Sequence, residues 1–279
     1  MPAFVLTYHS HHVVGRDYAF NDHAALPIDL EVLTDERFRV VPLGELVEMV
    51  TTGRPLSERI AAITFDDGPA YDVRDFDHPA FGLQKSFGRT LEEFKRSRRG
   101  TDQPSLCATS FVIASPEARL VMERTAEPLY TWLAPGSMSD DWWNAAIDDG
   151  YLAIANHSWD HLHPALPVVA HSRQARADFA SVLTVEDADA QIASAMTYIA
   201  AHTGGRAAPY FAYPFGHYND YLTQQYFPAK GKTLGIEAAF TAEPRPVVGG
   251  ESRWCLPRYV CGHHWRSPQE LRAVLASAT

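Results

Sequence analysis

Cysteine is scarce in this chain: Cys107, Cys255 and Cys261 are the only three in 279 residues, and no Cys-x-x-Cys pair occurs. That excludes a disulfide-stapled scaffold and a cysteine-built zinc module. The three read as reduced, half-buried core residues, with a Cys255 to Cys261 disulfide as the open alternative. Basic residues are also short, 24 Lys and Arg against 34 Asp and Glu, for a formal net charge of −10. Nonspecific attraction to nucleic acid or anionic membrane is thereby disfavoured, and a neutral or cationic substrate fits better. No run of about 18 apolar residues is present, so no segment reads as a membrane span. No basic and apolar leader precedes Phe4-Val5-Leu6, so the chain as written reads as cytoplasmic. A secreted or periplasmic protein trimmed of its leader would read the same. Internal repeats are absent too, which leaves one domain over 1–279 as the expectation, with apolar residues at 46% and charged residues at 21%.

What the chain does have is Ala61-Ala62-Ile63-Thr64-Phe65, a short apolar run leading directly into Asp66-Asp67-Gly68-Pro69. The run predicts a buried strand, stopped by Gly68-Pro69, with both acids at its C-terminal end. In α/β folds ligands bind at that edge. Two adjacent carboxylates in a half-buried place repel, so they need a cation or a shared proton. Taken alone, Asp-Asp-Gly is also an ordinary turn.

A second segment alters the balance. Tyr151 to Ala155 predicts another strand, and Asn156-His157-Ser158-Trp159-Asp160-His161 follows it. If that segment turns helically, the two imidazoles point to one side and can share a metal. A carboxylate and two histidines leave positions open for water and substrate, as catalytic zinc sites do. A zincin would need Glu after the first histidine, where Ser158 stands. A non-haem iron oxygenase uses the same ligand types, but an acid far upstream beside a second Asp suits hydrolysis better.

Thr64-Phe65-Asp66-Asp67-Gly68-Pro69 with His157-Ser158-Trp159-Asp160-His161 resembles the first two motifs of the polysaccharide deacetylases, the NodB homology domain of carbohydrate esterase family 4 type. Phe211-Ala212-Tyr213-Pro214-Phe215-Gly216 resembles the third. Val5-Leu6-Thr7-Tyr8-His9-Ser10 is similar to the opening strand of the poly-β-1,6-N-acetylglucosamine deacetylases. The matches run from residue 5 to about 260.

Along the chain, strands are expected at 3–8, 38–41, 108–114, 208–213, 236–241 and 256–260. Helices are expected at 29–37, 43–50, 116–127, 184–202 and 268–276, with another capped by Ser139-Asp140-Asp141 and running to Asp149. Residues 70–104 break the pattern and read as a long insertion expected to wall the cleft. The alternation argues for an α/β fold with a mainly parallel sheet, closed most economically as a (β/α) barrel. The resemblance implies a distorted seven-stranded NodB-type barrel.

The resemblance implies metal-dependent hydrolysis of an N-acetyl group on an amino sugar. Asp67, His157 and His161 would hold one divalent ion, zinc first, with cobalt, nickel or iron also compatible. Asp66 would be the base. A backbone N–H near Phe215 would serve the oxyanion, with Tyr213 in the same motif and Trp254 as substrate contacts. Trp159 and Tyr71 are further candidates for stacking on a sugar. The Leu-x-His motif that supplies the general acid in many relatives is missing; the subgroup resemblance suggests His9, with His263 as competitor. Ala212 stands where many relatives carry an arginine that orients the base, and Arg258 is the expected substitute. The expected partner is an acetylated amino sugar, with no nucleic acid. The alternatives are a small-molecule amide or imide hydrolase on the same scaffold, and a noncatalytic carbohydrate-binding module.

Overall fold

The computed structural model describes residues 3–52, 58–125 and 132–277. In chain order these form β1 (Ala3–Tyr8), α1 (Asp22–Asp35), β2 (Arg39–Val40), α2 (Leu43–Thr51), β3 (Ile60–Phe65), β4 (Phe76–His78), β5 (Gly82–Gln84) and α3 (Phe87–Arg96). There follow β6 (Ala108–Val112), α4 (Pro116–Thr125), α5 (Trp143–Asp149), β7 (Leu152–Asn156), α6 (Val185–Ala188), α7 (Ser194–His202), β8 (Tyr210–Ala212), α8 (Phe227–Leu234), β9 (Ala238–Phe240), β10 (Tyr259–Val260) and α9 (Pro268–Ala276).

Every residue of β1, β3 and β6 is buried. Strands covered on both faces need such unbroken burial, and only parallel strands joined by helical crossovers provide it. The sheet runs β10-β1-β3-β6-β7-β8-β9, all neighbours parallel, with β2 against the first residues of β3. Its two ends meet in one segment. The Leu256 N–H donates to the Ala239 carbonyl at 2.9 Å and the Leu256 carbonyl accepts from Thr241 at 2.8 Å, beside β9. Three residues later Tyr259 and Val260 pair with Leu6 and Thr7 of β1. This seam curls the sheet into the distorted seven-stranded (β/α) barrel expected from the sequence. No described helix is long and apolar enough to cross a membrane.

Several expectations need correction. Helix α1 starts at Asp22 rather than 29 and carries Pro27 inside it, because Asn21 caps it through the His23 N–H. Burial of Ala25, Leu26, Leu30 and Leu33 offsets the one backbone bond a proline forfeits. Residues 70–104 are not an irregular loop: they hold the β4–β5 hairpin and α3, whose Phe87, Leu91 and Phe94 are buried. The Ser86 side chain caps α3 from the Arg89 N–H, a signal present in the sequence. Neither Asp140 nor Asp141 caps α5. Asp140 instead takes Arg119 at 2.8 Å and the Tyr198 hydroxyl at 2.6 Å, and Asp141 takes Arg74 at 3.0 Å. All three cysteines are free, so Cys255 and Cys261 form no bridge. The helix at 184–202 forms with Thr184 capping Asp187, but a π-turn at Asp189–Ala193 interrupts it.

Candidate metal and catalytic site

Asp66 continues directly from β3, its N–H donating to the Tyr8 carbonyl at 3.1 Å as a last rung toward β1. Both its oxygens are taken by Arg258, Nη1 to Oδ1 at 2.7 Å and Nη2 to Oδ2 at 2.8 Å. Arg258 is 1% exposed. Its Nε donates to the Thr241 carbonyl at 2.9 Å, and its guanidinium lies 5.3 Å from the Phe111 ring centre. Burial pushes the Asp66 carboxyl up, but the Arg258 guanidinium more than offsets it and holds the group well below the usual carboxylate range. The bidentate fork also fixes the plane of the carboxylate.

Asp67 turns the chain with φ +70°, a region that short polar residues tolerate. Gly68 follows at φ +70°, where a Cβ would lie 2.5 Å from Val112, so only glycine fits. The turn aims Asp67 across the barrel end. Its Oδ1 is 3.5 Å from His157 Nε2 and 3.5 Å from His161 Nε2. Burial, then the charges of Asp66 and Asp72, push the Asp67 carboxyl up to about 8.

The His157 N–H extends the β6–β7 ladder to Val112, and its ring Nδ1 lies 2.9 Å from the Ala212 carbonyl. Nδ1 therefore carries the proton and Nε2 presents its lone pair toward Asp67. His161 reaches the same point by a loop, not a helix: Ser158, His161 and Leu162 have φ of 74°, 60° and 44°. The helical premise for the two rings is thus wrong, although their convergence is right. Ser158 Oγ accepts the His161 N–H at 2.9 Å, and Asn156 Oδ1 accepts the Ser158 N–H at 2.8 Å. The π-turn serves this loop. Its widened ring leaves the Gln191 carbonyl to accept from Trp159 at 2.7 Å and the Ile192 carbonyl to accept from Asn156 at 3.0 Å. Gln191 also donates to Asp160 at 2.7 Å.

Three observations test the fit of a metal ion here. Ligand atoms of Asp67, His157 and His161 all lie within 4.8 Å of one another. Separations of 3.5 Å are too long for hydrogen bonds but close to the edge of about 3.4 Å that a tetrahedron with ~2.1 Å bonds requires. Burial pushes the His157 ring down to about 4 and the His161 ring well below its ordinary value, so both are neutral donors, while the buried Asp67 lacks a counter-charge of its own. The residues fit a divalent cation.

These groups line a cleft of about 780 Å³ with His9, Phe215 and Arg258. His9 stands at the end of β1 with its N–H donated to Asp22 at 2.8 Å. Burial pushes its ring down against the pull of the Asp66 charge. His263 also lines the cleft, but exposed and at the rim. Phe215 adopts φ +59°, ψ 7°, and its ring meets His161 at 4.4 Å. In that turn Gly216 and His217 donate to the Tyr213 and Pro214 carbonyls, at 2.9 and 3.0 Å.

Other sequence candidates lie elsewhere. Tyr213 is fully buried, its hydroxyl donating to the Trp254 carbonyl at 2.8 Å. Trp254 stacks on Phe227 at 5.2 Å. Neither lines the cleft: Tyr213 is a core residue and Trp254 is half-buried against that core. Tyr71 stacks on Phe76 at 3.6 Å and Trp159 packs edge-on to Tyr198, so they are also taken. Nor does any residue of 70–104 line the cleft; Met122, Leu133 and Met138 make that wall. The sequence reading missed Asp72, buried beneath the acids and bonded to Ser10 at 2.6 Å and Ser110 at 2.5 Å. It also missed His11, whose only signal was its place two residues past His9.

A parallel barrel bearing three converging donor residues at its strand ends, beside a second acid locked by arginine, is an arrangement suited to metal-assisted hydrolysis. Comparison carries this further. Residues 103–231 match the family described as polysaccharide deacetylase, which bears out the resemblance drawn from the motifs. The matched stretch holds His157, His161 and Phe215, whereas His9, Asp66, Asp67 and Arg258 lie outside it. Among solved structures, the chain is similar to IcaB from Ammonifex degensii, at 18% identity and TM-score 0.66, covering 99% of this chain and 97% of that one. It is similar to the Streptococcus pyogenes deacetylase PplD in complex with acetate, at 14% identity and TM-score 0.62, covering 99% and 98%. The BpsB deacetylase domain from Bordetella bronchiseptica matches at 16% identity and TM-score 0.56, covering 92% and 95%. These likenesses are of fold. No curated protein matches the sequence.

Proposed function

We propose that this protein removes N-acetyl groups from an amino sugar or an N-acetylglucosamine-containing oligo- or polysaccharide. The observation that carries the reading is the pairing of Asp66 with Arg258 beside the Asp67, His157 and His161 donor set. The family matched over 103–231 and the fold shared with IcaB and PplD support the choice of an acetylated sugar. Asp67, His157 and His161 would hold a divalent ion, zinc first among zinc, cobalt, nickel and iron. When bound, such an ion polarises an acyl carbonyl and makes water more acidic.

The chain's own residues do the rest. Asp66, ionised and held in one plane by Arg258, takes the proton from the attacking water. The Phe215 N–H, not consumed by the turn that holds it, donates to the developing oxyanion. His9 protonates the leaving amine; it faces the Asp66 charge across the cleft, whereas His263 sits exposed at the rim. The apolar wall of Met122, Leu133 and Met138 also suits a smaller amide or imide.

The deciding experiment measures metal content and acetate release from acetylated glucosamine oligomers against simple amides. The variant Asp66→Asn keeps its metal and loses about 10²- to 10⁴-fold in turnover, and His9→Ala falls further than His263→Ala. An unchanged rate in Asp66→Asn removes that residue as base. Turnover of simple amides alone replaces the sugar with the smaller substrate.

A further inference from the structure

The two oxygens of Asp67 have different neighbours. Oδ1 faces both ligand imidazoles; Oδ2 lies 3.6 Å from His11 Nε2, and no other side chain among the described residues pairs with it. His11 is 13% exposed at its side chain and lies in the wall of the cleft. It is absent from the group of three converging donors, so it stands outside the coordination set.

The backbone that presents His11 is tethered on every side. The His12 N–H closes a turn onto the His9 carbonyl at 2.9 Å. One carboxylate, Asp22, holds both arms of the turn, with the His9 N–H at 2.8 Å and His12 Nδ1 at 2.7 Å. Ser10 donates to Asp72 at 2.6 Å while its carbonyl lies 2.6 Å from His23 Nε2. Asp72 is anchored to Ser110 of β6, beside the strand that carries the acids. A surface turn needs no such fastening. Buried and half-buried polar side chains, Asp22, His12, Ser10, Asp72 and His23 among them, fix the backbone from which the imidazole projects.

We propose that His11 is a positioning residue for the metal: its Nε2 stands 3.6 Å from the outer oxygen of Asp67, just beyond hydrogen-bond reach, and closes on that oxygen when an ion draws the inner one to His157 and His161, thereby setting the affinity for the ion. The inference rests on the reading of Asp67, His157 and His161 as the metal ligands. Outer partners of ligating carboxylates fix their orientation, and their removal costs on the order of 10–100-fold in metal affinity.

The test is titration of the metal-free full chain with Co²⁺, read by visible absorption, and with Zn²⁺ by competition against a chromophoric chelator. His11→Ala weakens both on the order of 10–100-fold, and His11→Gln, which keeps a donor, recovers most of the loss. The melting temperature of metal-free His11→Ala matches that of the metal-free parent. Unchanged affinity and an unchanged Co²⁺ spectrum in His11→Ala overturn the proposal. So does an equal loss in both variants accompanied by a lower metal-free melting temperature, which makes the role structural. Asp67→Ala separates the two levels. If the parent binds Co²⁺ and Asp67→Ala does not, an inert His11→Ala sinks only the inference about His11. If the parent binds no ion, the metal site itself falls.

Discussion

Among single residues, Arg258 has the largest predicted effect. Among the described residues it is the one Lys or Arg paired with the buried Asp66 carboxylate, and removing one partner of such a pair costs about 3–5 kcal/mol because the other charge is stranded. In Arg258→Ala, burial acts on Asp66 without its strongest opposing charge, so its pKa rises toward the ordinary carboxylate value. The base is then protonated at pH values where the parent has it ionised. The acid limb of kcat/KM moves to higher pH in Arg258→Ala, and Arg258→Lys, which cannot make the bidentate fork, moves part of the way. A pH–rate profile with an unmoved acid limb contradicts this. The role of Arg258 was legible in the sequence only as a vacancy at Ala212; nothing local to residues 256–260 marks it, because its partner is 192 positions away.

At the scale of elements, the packing of α1 against β1 and the seam centres on Asp29. This buried carboxyl accepts from Tyr8 at 2.9 Å, from Trp265 at 3.1 Å and from the Tyr18 hydroxyl. Burial pushes it up to about 7, above an unfolded value of ~3.9. The folded state thus keeps a proton that the unfolded chain releases between those values. Its contribution to stability is fully present below about pH 4 and is lost as pH rises toward about 7. Denaturant unfolding across that range shows a steeper fall in the parent than in Asp29→Asn, whose amide does not titrate. Equal slopes refute the assignment. Elements of this kind were partly readable. Strands β1, β3 and β6 declared themselves as apolar runs ended by polar or turn residues, and α9 as the closing stretch that opens on Pro268. Helix α3 was missed although Ser86, Phe87, Leu91 and Phe94 carry the pattern, since the surrounding charges obscured it. The π-turn was not legible at all: Ala-rich sequence fits an α-helix equally well, and its purpose, two spare carbonyls for the histidine loop, exists only in three dimensions.

For the whole molecule, the proposed ligands follow β3 and β7, the proposed acid follows β1 and the arginine comes from the seam, so an ion held there would join loops that the sheet alone holds apart. A cation that binds only the folded state at 100 times its Kd adds about 2.7 kcal/mol. For a domain of this size that is a melting temperature higher by roughly 5–10 °C. Stripping the metal with a chelator lowers the melting temperature by that amount, and Asp67→Ala abolishes the difference. A chelator-insensitive parent counts against the site. The ligand types were visible in the sequence because their spacing within each loop is short. The shape of the cleft was not, since Met122, Leu133 and Met138 look like any helix and turn residues until the barrel brings them opposite the acids.

The seam has one more consequence, for synthesis. A ribosome finishes β1, β3 and β7 long before it reaches residue 258, and domains take shape in that N-to-C order. Until residues 256–260 emerge, the nascent chain holds a carboxylate with no guanidinium to meet it and a sheet with an open flank. Synthesis must pass residue 260 before the polypeptide can be either durable or active, which ties the onset of chemistry to the making of the seam.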